Sequence, residues 1–124
     1  MIELLNCDCM DYMAGLKDNA FELAIVDPPY GINIGKMAQG KGGKRTGLRE
    51  RNYKKGNWDE IPPDNGYFKA LFRVSKNQII WGANYYPQYL PPSPGWVLWD
   101  KGQRLCQADG ELAYTSFNKP LRVW

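Results

Sequence analysis

The stretch from Phe21 to Val26 (FELAIV) is almost continuously apolar and runs straight into Asp27-Pro28-Pro29-Tyr30. An apolar run of this length, bounded by chain breakers, reads as a strand of the buried type found in parallel sheets. The two prolines fix φ and push the residue before each toward extended backbone, so the chain must leave the strand in a stiff turn. Neither proline has an N–H. The turn therefore presents acceptors, the Asp27 carboxylate and the Pro28 carbonyl, next to the flat ring of Tyr30. In open α/β sheets ligands bind beyond the carboxyl ends of strands, and this turn lies at such an end.

The remaining chain supplies the other elements of such a sheet. Ile2 to Asn6 reads as a short strand. Asp8 offers a helix N-cap, and Met10, Met13 and Ala14 share one face of the short helix after it, which weakens at Gly15 and closes by Lys17-Asp18-Asn19. Asp64 caps a second helix, with Tyr67, Phe68, Leu71, Phe72 and Ser75 as its buried stripe at helical spacing. Gln78 to Trp81 reads as a buried strand stopped by Gly82. Asn84 to Leu90 is irregular, and Trp96 to Trp99 and Glu111 to Phe117 are two further strands. The order strand, helix, strand, loop, helix, strand, strand, strand implies an α/β sheet with at least one parallel crossover.

Several classes of protein are excluded by counting. The 124 residues contain no histidine, which removes Ser-His-Asp and Cys-His catalysis and zinc sites of HExxH type. The three cysteines, Cys7, Cys9 and Cys106, lack a histidine to complete a zinc set, so no metal is expected, and their odd number fits reduced thiols in a cytoplasm. No apolar run approaches the roughly 18 residues a membrane span needs, and Met1-Ile2-Glu3-Leu4-Leu5 has no secretory character. A chain of this length holds one hydrophobic core, so residues 1–124 are expected to form one domain.

Charge is concentrated in one place. From Lys36 to Lys55 lie Lys36, Lys41, Lys44, Arg45, Arg49, Arg51, Lys54 and Lys55. These eight basic residues face one acid, Glu50, giving +7, whereas the remainder, with eight basic and twelve acidic residues, carries −4. Gly31 to Gly56 holds 7 of the 13 glycines. A glycine-rich, basic stretch with almost no aliphatic residues cannot bury itself, so a mobile loop at about 36–56 is expected, with a polyanion such as DNA as its partner. Gly43-Lys44-Arg45-Thr46 imitates the end of a P-loop, but Arg45 stands where a magnesium-binding hydroxyl is required.

The acceptor turn suits one chemical task. The lone pair of an exocyclic nucleobase amine is delocalised into the ring, which makes the amine a poor nucleophile. Two acceptors, Asp27 and the Pro28 carbonyl, can hold its two N–H groups and localise that lone pair, while Tyr30 stacks on the base. The amine could then take a methyl group in line from a sulfonium donor, without a covalent intermediate. A base within a duplex must be flipped out to reach such a turn.

On these residues the chain resembles the DNA amino-methyltransferases that use S-adenosylmethionine to methylate adenine N6 or cytosine N4, in the group whose catalytic motif precedes the cofactor motif. Asp27-Pro28-Pro29-Tyr30 matches the catalytic DPPY motif. Leu5 to Val26, Trp96 to Lys101 and Ala108 to Phe117 are similar to the family's entry and later strands. The resemblance implies a Rossmann-like methyltransferase sheet and a catalytic turn of Asp27, Pro28, Pro29 and Tyr30. It also implies donor contacts from Asp8 and Asp27, with S-adenosylmethionine as methyl donor. For Asp8 a plain helix cap is the equal alternative. Asp at the first motif position favours adenine. Trp58 and Asp59 would border the base pocket, and Asn84, Tyr85 and Tyr86 would line the same crevice.

The family's glycine-rich F-x-G-x-G donor motif is not found in this sequence. The expectation is an incomplete sheet, the catalytic half of the enzyme, with edges that invite a homo-oligomer or a complementing chain. The alternative functions are a non-catalytic nucleic-acid-binding remnant and one half of a split methyltransferase.

Overall fold

The computed structural model describes residues 1–33, 59–102 and 108–124. They divide into two compact units, Met1–Pro28 with Pro63–Trp124, and Pro29–Pro62. The expected basic loop, with Lys36, Lys41, Lys44, Arg45, Arg49, Arg51, Lys54 and Lys55, lies outside the described residues, as do Trp58 and Cys106.

The first unit is an α/β structure built on one mixed sheet. Its elements are α1 (Cys9–Ala14), β1 (Phe21–Val26), α2 (Asn65–Val74), β2 (Ser75–Trp81), β3 (Trp96–Asp100), β4 (Gly110–Thr115) and β5 (Arg122–Val123). Two short 3-10 turns, Ala83–Tyr85 and Pro87–Tyr89, join β2 to β3. The strands lie in the order β1-β2-β4-β3-β5. β1 and β2 are parallel, with Phe21 opposite Ser75 and Val26 opposite Ile80. β4 runs antiparallel to both β2 and β3, and β5 is parallel to β3. The expected parallel crossover is therefore present, and β1, β2, β3 and β5 all end at the same side of the sheet.

Local sequence explains the helix boundaries. Asp8 accepts from the backbone N–H groups of Met10 and Asp11, at 2.7 and 3.4 Å, and starts α1. Asp64 accepts from Tyr67 N–H at 3.1 Å and starts α2. Each cap satisfies donors that the first helical turn leaves without partners. α2 passes into β2 with no intervening loop. The Ser75 hydroxyl donates back to the Leu71 carbonyl at 2.6 Å, and the Gln78 amide donates to the Ser75 carbonyl and hydroxyl. Both polar residues are buried and satisfied by this exchange.

Register assigns the faces. Side chains alternate along strands, so Val26, Ile80, Tyr114 and Trp96 share one face. α2 covers that face, with Phe68, Leu71 and Val74 buried and Phe72 edge-on to Tyr114 at 6.5 Å. Trp96 meets Tyr114 edge-on at 5.6 Å on the same side. Burial in this layer raises the pKa of Tyr114. The opposite face carries Phe21, Leu23, Ile25, Ile79, Trp81, Val97 and Trp99.

Three expectations are corrected. Ile2 to Asn6 form no strand and are exposed, because apolar content alone provides no ladder partner. β1 is not buried on both faces: among the described residues it is an edge strand, and Phe21, Leu23 and Ile25 are 38, 41 and 63% exposed. Ser75 belongs to β2 rather than to the stripe of α2, and Val74 takes the buried position.

Candidate functional site

Five side chains converge at the carboxyl side of the sheet, on the face opposite α2. They are Asp27 after β1, Trp81 closing β2, Trp99 in β3, Glu111 in β4 and Trp124 after β5. Each comes from a different strand. They line an open crevice of about 410 Å³, within the ~300–1,000 Å³ typical of small-ligand sites. The register explains the convergence. Trp99 is opposite Glu111, and Trp81 is opposite Ala113, two residues further along the same face of β4.

The walls are held from several directions. Trp124 donates its N–H to the Leu98 carbonyl at 2.8 Å and accepts at its own carbonyl from Asp100 N–H at 2.9 Å, which extends the β3–β5 pairing to the crevice. Lys101 pairs with Glu111 at 2.6 Å, and its ammonium lies 5.7 Å from the centre of the Trp99 ring. The cation thus ties one carboxylate and one indole together at the far side from Asp27. Three indoles and two carboxylates make a surface for a flat, apolar-faced ligand that carries N–H donors or positive charge.

Pro28 is buried, and its carbonyl accepts from the Tyr86 hydroxyl at 2.9 Å. Asn84 and Tyr85 are exposed and Tyr86 is buried, so none of the three lines the crevice as expected. The reason is Gly82, whose positive φ of 65° turns the chain away from β2 and sends Tyr86 back under the sheet end against Phe68.

Pro29 and Tyr30 belong to the second unit, where both are half-buried. Asp59 organises that unit's described residues. It is 2% exposed, its Oδ1 accepts from Gly31 N–H at 2.9 Å, and its carbonyl accepts from Asn33 N–H at 2.9 Å. Gly31 and Asn33 both have positive φ, 73° and 56°. Asp59 thus acts on the turn after Tyr30. Asp8 serves as the cap of α1, with Oδ1 committed to that helix.

Trp81, Trp99, Glu111 and Trp124 were not named as site residues from sequence. The signal for Trp81 and Trp99 was available, since each closes an apolar strand at the side where Asp27 emerges. Comparison with protein-family models, with curated proteins and with solved structures finds no match to this chain.

Proposed function

We propose that the chain provides the catalytic half of an S-adenosylmethionine-dependent methyltransferase acting on the exocyclic amine of a flipped DNA base, adenine N6 in particular. The observation that carries this reading is the juxtaposition at the end of β1. The Asp27 carboxylate and the Pro28 carbonyl are consecutive acceptors, and Asp27 opens onto a crevice walled by Trp81, Trp99 and Trp124. A nucleobase has the matching chemistry, flat apolar faces with an N–H₂ on its edge.

The chain's residues divide the work. The indoles hold the base by stacking and exclude water from its faces. Asp27 takes one amine hydrogen and the Pro28 carbonyl the other, which draws the nitrogen lone pair out of conjugation and aims it away from both acceptors. A carboxylate has about four acceptor positions, so Asp27 can hold the amine alongside its other partners. Tyr30, the last residue of the motif, is assigned the stacking role from sequence alone. A bound donor would supply an electrophilic methyl group on a sulfonium: as the N–C bond formed the S–C bond would break, the sulfur would leave as a neutral thioether, and the methylated amine would release its extra proton to solvent. The cap role of Asp8 leaves its Oδ1 directed at its own helix, so the residues at hand do not make a complete donor pocket. The Rossmann-like character of the sheet belongs to the same proposal, supported by the parallel β1–α2–β2 crossover and by the site's position at the strands' carboxyl ends.

The test is methyl transfer from isotopically labelled S-adenosylmethionine to adenine-containing DNA, with wild type and Asp27→Ala compared. Transfer by wild type and a loss of at least about 100-fold in Asp27→Ala, in line with removal of one preorganised polar group, is expected. DNA binding with unchanged salt dependence should persist in the variant. Equal transfer by both proteins would sink the assignment of Asp27. Binding without transfer in wild type would leave a nucleic-acid-binding module.

A further inference from the structure

We infer that Tyr86 is the positioning residue of the catalytic turn, resting on the methyltransferase reading above: its hydroxyl fixes the direction of the Pro28 carbonyl, so that the oxygen's second lone pair meets the nucleobase amine. Four observations lead there. The hydroxyl lies 2.9 Å from the Pro28 oxygen, across 58 residues of sequence. Tyr86 is fully buried, with 0% exposure. Its ring is packed against Phe68 at 5.2 Å and next to Tyr85 at 6.4 Å, and Phe68 is itself stacked on Tyr89 at 5.2 Å. The chain reaches Tyr86 through one 3-10 turn that begins at the left-handed Gly82 and leaves it through a second, so its backbone is held on both sides.

The chemistry of the turn makes such a group necessary. Neither Pro28 nor Pro29 has an N–H, so neither supplies a donor to the buried Pro28 carbonyl, and a buried carbonyl without a partner is costly. A phenol delivered from under the sheet satisfies it before any ligand arrives. A carbonyl oxygen has two lone pairs, and one hydrogen bond leaves the other available. Fixing the first direction fixes the second. The two acceptors of the site then have separate supports: Asp27 is aimed by the strand β1, and Pro28 by Tyr86.

The experiment measures how strongly the protein prefers a base that has an exocyclic amine. Two single-stranded oligodeoxynucleotides are used, identical except that one carries adenine and the other purine, which lacks the amine, at a single position. Dissociation constants are read from tryptophan fluorescence for wild type, Asp27→Ala, Tyr86→Phe and a variant with 4-aminophenylalanine at position 86. The ratio of the two constants within each protein isolates the amine, and a partly unfolded variant weakens both constants alike and leaves the ratio unchanged. Wild type is expected to prefer adenine about tenfold, which corresponds to one well-made hydrogen-bond contribution of ~1.4 kcal/mol. Asp27→Ala should fall toward unity. Tyr86→Phe should fall to about threefold or below, and the amino variant, which keeps an N–H donor at the same ring position, should recover most of the preference. A tenfold ratio in Tyr86→Phe beside a lost ratio in Asp27→Ala would overturn the role of Tyr86 and leave the methyltransferase reading intact. A ratio of one in wild type would overturn that reading and this inference together. If Tyr86→Phe does not melt cooperatively, 4-fluorophenylalanine at position 86, which fills the same space without a donor, takes its place: a ratio of about threefold or below beside the recovered ratio of the amino variant supports the positioning role, and a tenfold ratio in both removes it.

Discussion

Arg73 provides the sharpest test of how the first unit is held together. Its guanidinium donates to the Met13 carbonyl at 2.7 Å and to the Leu16 carbonyl at 2.8 Å, and pairs with Asp18 at 3.0 Å. The Arg73 carbonyl in turn accepts from Asn19 N–H at 2.8 Å. α1 has six residues, too few to stand alone in water. The Arg73 side chain adds a charged donor to the Met13 carbonyl, which also accepts from Leu16 N–H at 3.1 Å, and ties the chain just beyond α1 through Leu16. A hydrogen bond from a charged donor contributes ~1.5–3 kcal/mol in a buried setting, and the Arg73 side chain is 36% exposed, so the lower end applies to each carbonyl. The Asp18 side chain is 74% exposed, which places its ion pair at ~0–1 kcal/mol. Arg73→Met keeps most of the apolar stem and should cost about 2–3 kcal/mol, a fall in Tm of roughly 10 °C for a chain of this size. Asp18→Asn should cost at most about 0.5 kcal/mol. Urea melts of the two variants with matched slopes are the assay. Equal costs for the two variants, or a loss below about 1 kcal/mol in Arg73→Met, would show that the carbonyl contacts do not hold α1.

Two further outcomes follow from the geometry. Gly95 is buried, and a Cβ there would collide with the Phe117 carbonyl oxygen and the Thr115 hydroxyl, so Gly95→Ala should cost about 3 kcal/mol or more in a thermal melt. Gly102→Ala meets open space at φ +64° and should cost only about 1–2 kcal/mol, and the reverse order would contradict the assigned contacts. Burial, with a smaller contribution from the Cys9 charge, pushes Tyr67 up to about 12 from an ordinary 10.0. Between those values the unfolded chain ionises at this phenol while the folded chain does not. Its stabilising contribution is therefore complete below pH 10 and is lost as pH rises through about 12. Alkaline melts should show Tyr67→Phe with a shallower loss of stability across that window, and an identical slope would refute the burial argument.

Where an element is defined by its own residues, it could be read from the sequence. The bounds of β1 follow from an apolar run closed by two prolines, and α2 begins one residue after the Asp64 cap expected for it. The Asp8 cap of α1 is read in the same way. Where an element is defined by pairing, it could not. β5 is only two residues, Arg122–Val123, and exists because Leu98 and Asp100 bond to Trp124. Trp124 therefore entered the crevice unforeseen. The exposed edge position of β1 was hidden for the same reason, since FELAIV has the composition of a strand covered on both sides and only the strand order shows that it is not.

The step from Asp27 to Pro28 addresses both faces of the sheet, which explains why the partner of the Pro28 carbonyl was also hidden. Consecutive residues of an extended chain present their side chains to opposite faces. Asp27 opens to the crevice face with Trp81 and Trp99, and Pro28 is buried toward the layer that contains α2, Phe68 and Tyr86. The proposed function, which uses the side chain of one residue and the carbonyl of the next, needs support from both sides. The crevice side supplies a row of strand residues whose positions follow from register. The other side supplies, among the described residues, the Tyr86 hydroxyl, brought from 58 residues away by a glycine turn and an aromatic cluster. Only the first kind of support leaves a periodic trace in sequence. Tyr86, one of eight tyrosines, carries no local mark that separates it from its exposed neighbour Tyr85, and the difference between them is created by the fold.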